Sequence, residues 1–153
     1  MLTRFSLFTI LGFTLLFAFA SIAATLNIKV PIPPNTTVFN PCTVENVDLS
    51  GNLHLLIHVN SDGNGGFHLK LHANAQGISG VGQSSGNKYQ GTGAANLQFN
   101  AKKGVVVTAV LNANLISKGS ADNASLHVTL HLTVNANNNV TATVVNVNAK
   151  CKG

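Results

Sequence analysis

Acidic residues are nearly missing from this chain. Glu45, Asp48, Asp62 and Asp122 are the only carboxylates, and charged residues of both signs make up 8% of the sequence. Hydrolysis by paired carboxylates needs two acids facing across a cleft. Asp62 and Asp122 sit in turn-like segments, while Glu45 and Asp48 share one short segment near Cys42, so the spacing gives no such pair. Basic residues are scarce and scattered, with only Lys102 and Lys103 adjoining. A nucleic-acid surface needs clustered Lys and Arg, and that partner is excluded. Tryptophan is absent, and after the N-terminal apolar run the aromatics are Phe39, Phe67, Phe99 and Tyr89. These cannot supply the aromatic girdles of an outer-membrane barrel.

Long apolar runs are also missing, with one exception. Met1-Leu-Thr-Arg4 is a short basic start, Phe5 to Ala20 is almost wholly apolar, and Ser21-Ile-Ala23 supplies small residues. This is the layout of a secretory signal peptide, expected to span 1–23. A retained anchor helix is the alternative. The run is shorter than the roughly 20 residues a span needs, and no basic cluster follows it. The mature chain then has no membrane span. Without Arg4 its formal net charge falls from +5 to +4. Its length suits one domain with a modest core: a lead-in at 24–40 and a single β domain at 41–153.

Cysteine is limited to Cys42 and Cys151, near the two ends of the mature chain. An even count in an exported protein predicts a disulfide in an oxidising, extracellular or periplasmic setting. Two free thiols, or half of a metal site, are the alternatives, although no CxxC spacing is present.

What the chain has in quantity is alternation of period two. Leu53, Leu55, Ile57 and Val59 alternate with His54, Leu56 and His58. Phe67, Leu69 and Leu71 alternate with His68, Lys70 and His72, and Leu126 to Val134 alternate with His127, Thr129, His131 and Thr133. This pattern marks half-buried strands. Turn residues separate them, as in Ser61-Asp-Gly-Asn-Gly-Gly66 and Asn135-Ala-Asn-Asn-Asn139. The expected strands are 44–49, 52–60, 66–74, 76–84, 87–94, 104–116, 125–135 and 139–149. A weaker one in 25–40 is interrupted by Pro31, Pro33 and Pro34. Short links favour an antiparallel meander. Eight or nine strands are enough to close, so the fold class is all-β, a closed or nearly closed barrel, with a two-sheet sandwich as the alternative.

The six histidines repeat one spacing: His54/His58, His68/His72 and His127/His131. On a strand, residues four apart lie roughly 13 Å from each other and cannot share an ion. A hairpin turning near Gly63 would set His58 opposite His68 and His54 opposite His72, close enough for Zn, Ni or Cu. The plain alternative is a solvated polar face that uses His where other proteins use Thr, and a third is a ligand-lining role. No other cofactor is indicated.

Gly82-Gln-Ser-Ser-Gly86 matches the nucleophile-elbow spacing, with Asp122 and His127 following in triad order. That motif needs a strand-to-helix turn, whereas Ser85-Gly-Asn87 leads into another strand. Asp62-Gly-Asn-Gly-Gly66 starts like a calcium loop but lacks a closing acid, so it reads as a hairpin turn. Asn35, Asn123 and Asn139 open glycosylation sequons.

Asn40-Pro-Cys-Thr43, Gly66-Phe-His-Leu-Lys-Leu-His72 running on to Tyr89-Gln-Gly-Thr-Gly93, and His131-Leu-Thr-Val-Asn-Ala-Asn137 resemble a group of small exported bacterial β-rich proteins. The resemblance covers about residues 40–151. It departs at Val44-Glu45 and Asn138-Asn139, where that group often has Gly-Glu. It implies export, the paired cysteines and a β-rich fold, and it carries no activity.

Three functions fit. The first is a non-catalytic binding module for a small ligand or metal, held inside the barrel or on the His face. The second is a structural protein in contact with a cell surface or matrix. The third is an enzyme with a His general base in a barrel mouth. The direction of the His face separates them: inward His beside a cavity favours binding or catalysis, and outward His over a filled core favours a surface role.

Overall fold

The computed structural model describes residues 23–117, 119, 123–135, 137 and 139–151. Apart from Ala23, the expected signal peptide lies outside these residues, as does Asp122. The regular structure is all β. The strands are β1 (Ala23–Pro31), β2 (Thr36–Asn40), β3 (Glu45–Ser61), β4 (Gly66–Asn74), β5 (Ile78–Gly82), β6 (Lys88–Thr92), β7 (Ala94–Lys102), β8 (Val106–Ser117), β9 (Ala124–Val134) and β10 (Val140–Cys151). No helix among the described residues is long and apolar enough to cross a membrane.

All pairings are antiparallel, and the strands form one sheet in the order β10-β9-β8-β6-β5-β3-β4-β7, with β1 and β2 also pairing β3. The hydrogen-bonded path does not close on itself. β10 lies beside β2 without joining its ladder, and a bulge at Val145 interrupts β10 there. A shallow groove lined by Pro33, Thr36, Thr37, Val144, Val145 and Val147 marks this open seam.

Strand β3 organises the sheet. Its first half pairs with β2 and β5, and its second half with β1 and β4. The change of partners falls at Gly51, which has φ +99°, a value that L side chains rarely adopt. A Cβ there would also run into the Gly77 carbonyl oxygen. The neighbouring chains bend along the same line. Ile32 N donates to Gly51 O (2.9 Å), Asn52 N to Gly77 O (3.0 Å) and Ala75 N to Gly93 O (3.1 Å). This line forms a corner where strands leave one half of the sheet for the other.

The inward faces of the strands are largely apolar, with Asn40, Glu45 and Ser117 as the buried polar residues among the described ones. Leu55, Ile57, Leu69, Leu130 and Leu132 are all buried, with 0–1% of their surface exposed, and both halves of the sheet line one continuous core. The disulfide joins Cys42, in the turn after β2, to Cys151, the last residue of β10, with Cα atoms 5.0 Å apart. It ties together the two strands that flank the open seam.

Several sequence expectations change. Segments 44–49 and 52–60 are one bent strand, because Gly51 turns the chain without ending it. The lead-in at 24–40 forms two strands of the same sheet; Pro31 to Asn35 are the corner between them. Strand β7 was not expected. Its Ala-Ala-Asn-Leu-Gln-Phe-Asn-Ala-Lys sequence is rich in Ala and Asn, which strands disfavour, and pairing with β4 overrides that preference. The topology is not a simple meander, because β7 crosses to β4 while β6 pairs β8.

Candidate functional site

The polar faces of β1, β3, β4 and β7 share one side of the sheet. The ladders align their outward residues into rows across the strands. One row is Ala23, Asn60, His68 and Asn100, and the next is Thr25, His58, Lys70 and Gln98. Then come Asn27, Leu56, His72 and Asn96, followed by Lys29, His54, Asn74 and Ala94. Lys102 lies beyond the first row, opposite Gly66. None of these positions carries a carboxylate. Lys70 is central: His58 stands directly across from it, Gln98 faces it from β7, and His68 and His72 lie two residues to either side on its own strand.

This register differs from the expected one by two residues. His58 pairs with Lys70 and not His68, and His54 pairs with Asn74 and not His72. The Asp62–Gly66 turn is the reason. Asp62 Oδ1 accepts from Asn64 N (2.8 Å) and Gly66 N (2.9 Å), and Asp62 N donates to Gly66 O (3.0 Å), which sets the hairpin closure. The pairs His58/His68 and His54/His72 are therefore diagonal neighbours, about 7–8 Å apart.

Three of these rings are held by their cross-strand partners. Nδ1 of His68 donates to Asn100 Oδ1 (2.6 Å), and Nδ1 of His72 to Asn96 Oδ1 (2.7 Å). An amide oxygen only accepts, so Nδ1 carries the proton and Nε2 keeps the lone pair in the neutral ring. His58 Nδ1 shares a hydrogen bond with Thr25 Oγ1 (2.8 Å). His54 packs over Gly77, where a Cβ would meet its ring. His127 and His131 belong to the other half of the sheet. His127 lies between Asn112 and Asn148, and His131 between Thr108 and Thr143, so these two do not complete a site with the first four. His127 is half-buried and the other five are exposed. No three His, Cys, Asp or Glu side chains converge on a metal position among the described residues.

The face is shallow. One depression is bordered by Thr25, His58, Asn60 and Lys70, and a second by His58, Lys70, His72, Asn96 and Gln98. The two meet at the His58–Lys70 pair. At the rim, Asp62 is held below the ordinary carboxylate range, first by the Asn64 and Gly66 amides and further by nearby His68.

A second polar cluster was not visible in the sequence. Glu45 is buried and accepts from Ser85 N (3.1 Å), Ser85 Oγ (2.9 Å) and Tyr89 Oη (2.9 Å). Burial pushes its carboxyl up, but the bonds from Ser85, Tyr89 and Thr43 outweigh that and hold it low. Gly82 leaves the room, because a Cβ there would lie 2.5 Å from the carboxylate. Its partners lie about forty residues away in sequence, so no local pattern announces it. The cluster pins the β5–β6 turn to β3. Ser84 and Ser85 belong to that strand-to-strand turn, closed by Gly86 N donating to Gly82 O (2.9 Å), and not to a nucleophile elbow.

No known protein family, curated protein or solved structure matches this chain, so the reading of the site rests on its own geometry.

Proposed function

We propose that this is an exported, non-catalytic binding module that docks an extended anionic ligand of a cell surface or matrix on the outer face of β1, β3, β4 and β7. The architecture is read as a flattened, nearly closed barrel whose outside is the working surface. The observation that carries the proposal is Lys70 ringed by His58, His68 and His72 on a face whose aligned rows hold no carboxylate, Asp62 standing only at its rim. Cationic and hydrogen-bond-donating groups on a broad, shallow surface suit an extended partner better than a small molecule, which prefers a concave pocket. The interior is filled by Leu, Ile and Val side chains, which argues against a ligand inside the barrel. The outward histidines likewise favour a surface role over a general base in a mouth. The disulfide agrees with an oxidising compartment.

The test is retention on immobilised dextran sulfate at low salt, with neutral dextran as control. Wild type should be retained and released by salt, and Lys70→Glu should elute early. Equal retention of the two proteins would overturn the assignment to this face.

A second reading has its own support. The Nδ1 bonds of His68 and His72 are the outer-shell arrangement that orients imidazole for a metal. Zn, Ni or Cu would then bridge the diagonal pairs His58/His68 and His54/His72, although the Lys70 ammonium repels a cation between them. Calorimetry with Zn²⁺ on wild type and His68→Ala decides it, since equal heats would remove the metal.

A further inference from the structure

From the pattern of donors on this face we infer that its ligand is a linear acidic oligosaccharide, a uronate glycan, lying across the strands along the row Thr25, His58, Lys70 and Gln98. The inference rests on the binding reading above and names its ligand class.

Composition is the first argument. Uncharged hydroxyl, amide and imidazole groups outnumber lysines on this face, with Thr25, Asn27, Asn60, Asn74, Asn96 and Gln98 among them. Such a surface matches a ligand that offers several hydroxyl and ring oxygens for each negative charge. Nucleic acid carries a phosphate on every unit with at most one free hydroxyl beside it, and calls for denser Lys and Arg. A neutral glycan leaves Lys70 and its ring of imidazoles without a counterpart.

Spacing is the second. Adjacent strands lie about 4.8 Å apart, so a row across four strands presents a polar group at each step over roughly 14 Å. Successive sugar units of a linear glycan repeat at a comparable interval. Along a strand, by contrast, outward residues recur at about 6.7 Å and fall out of step.

Relief is the third. One depression opens toward β1, bordered by Thr25, His58, Asn60 and Lys70, and one toward β7, bordered by His58, Lys70, His72 and Gln98, so the two cross all four strands and meet at the His58–Lys70 step of the row. The outward positions carry no Phe, Tyr or Trp ring, since Phe67 is buried and Phe99 is half-buried against the core. Stacking on sugar faces is therefore not used. Recognition falls to hydrogen bonds and charge, and affinity depends on several units binding together.

The experiment is calorimetry with galacturonate, its trimer and the methyl-esterified trimer, on wild type, Gln98→Ala and His54→Ala, with dextran sulfate as the general anion probe. Gln98 and His54 are both exposed, and each variant is checked by thermal melting. The acidic trimer should bind about tenfold or more tighter than the monomer and the ester, as linked units gain effective concentration. Gln98→Ala, at the end of the row, should weaken the trimer several-fold, and more than His54→Ala, which is displaced along the strand. If His54→Ala weakens binding and Gln98→Ala does not, the ligand runs along the strands and the inference is overturned. If dextran sulfate binds through Lys70 but the trimer binds no better than the monomer, the glycan falls and the anionic face remains. If neither probe binds, both fall.

Discussion

At the scale of the residue, the core and the Glu45 cluster make different demands. Leu130 sits on β9 with its side chain fully buried in the common core. Its truncation removes methyl groups and leaves a cavity, so Leu130→Ala should cost about 2 to 5 kcal/mol. The urea midpoint measures this, and an unchanged midpoint would mean that the apolar face is not the buried one. Glu45 is stabilised in its charged form by Ser85 and Tyr89. A carboxyl held lower in the folded than in the unfolded state contributes stability above its unfolded pKa, and loses it as pH falls through the folded value. Wild-type stability should therefore hold near neutrality and decline below about pH 4. Tyr89→Phe should be less stable at neutral pH and show a shallower acid decline. Urea midpoints across the acid range compare the two, and parallel curves would remove Tyr89 from the account.

At the scale of the element, β3 is the piece on which the others depend. It is long enough to serve both halves of the sheet only because Gly51 bends it. Gly51→Ala combines a left-handed backbone with a collision at the Gly77 carbonyl. Backbone strain of this kind costs about 1 to 3 kcal/mol, and the collision adds to it. The variant should melt well below wild type in circular dichroism, and an equal melting temperature would show that the corner tolerates a side chain. Alternation made the second half of β3, β4 and β9 legible in the sequence, because their inward positions are mostly Leu, Ile, Val or Phe. Strand β7 was not legible, since Ala and Asn signal a strand weakly and its partner β4 lies across a crossover.

At the scale of the whole molecule, the open seam between β2 and β10 is secured by one covalent link. The Cys42–Cys151 bridge spans 109 residues of sequence. For a loop of that size, chain entropy predicts a stabilisation of up to about 4 to 5 kcal/mol. The double variant Cys42→Ser/Cys151→Ser should unfold at a markedly lower urea concentration, and the non-reduced wild type should contain no alkylatable thiol. Free thiols in the purified protein would remove the bridge. The His-rich outer face, which we propose as the binding surface, also belongs to this scale, because its four strands come from three separated stretches of chain.

The sequence by itself determined the β class and the segregation of apolar from polar faces along the strands, and it led to the expectation of a bond between the two cysteines. Each of these follows from period-two alternation or from a count, properties that neighbouring residues or composition carry. Only the tertiary structure decided which strands are neighbours, that Lys70 and not a second histidine faces His58, and that Glu45 meets Ser85 and Tyr89. The ladder register depends on how the Asp62–Gly66 turn closes, and a slip of two residues keeps every side chain on its face while changing every partner. For that reason the polar character of the His face could be read from the chain, and its chemistry could not.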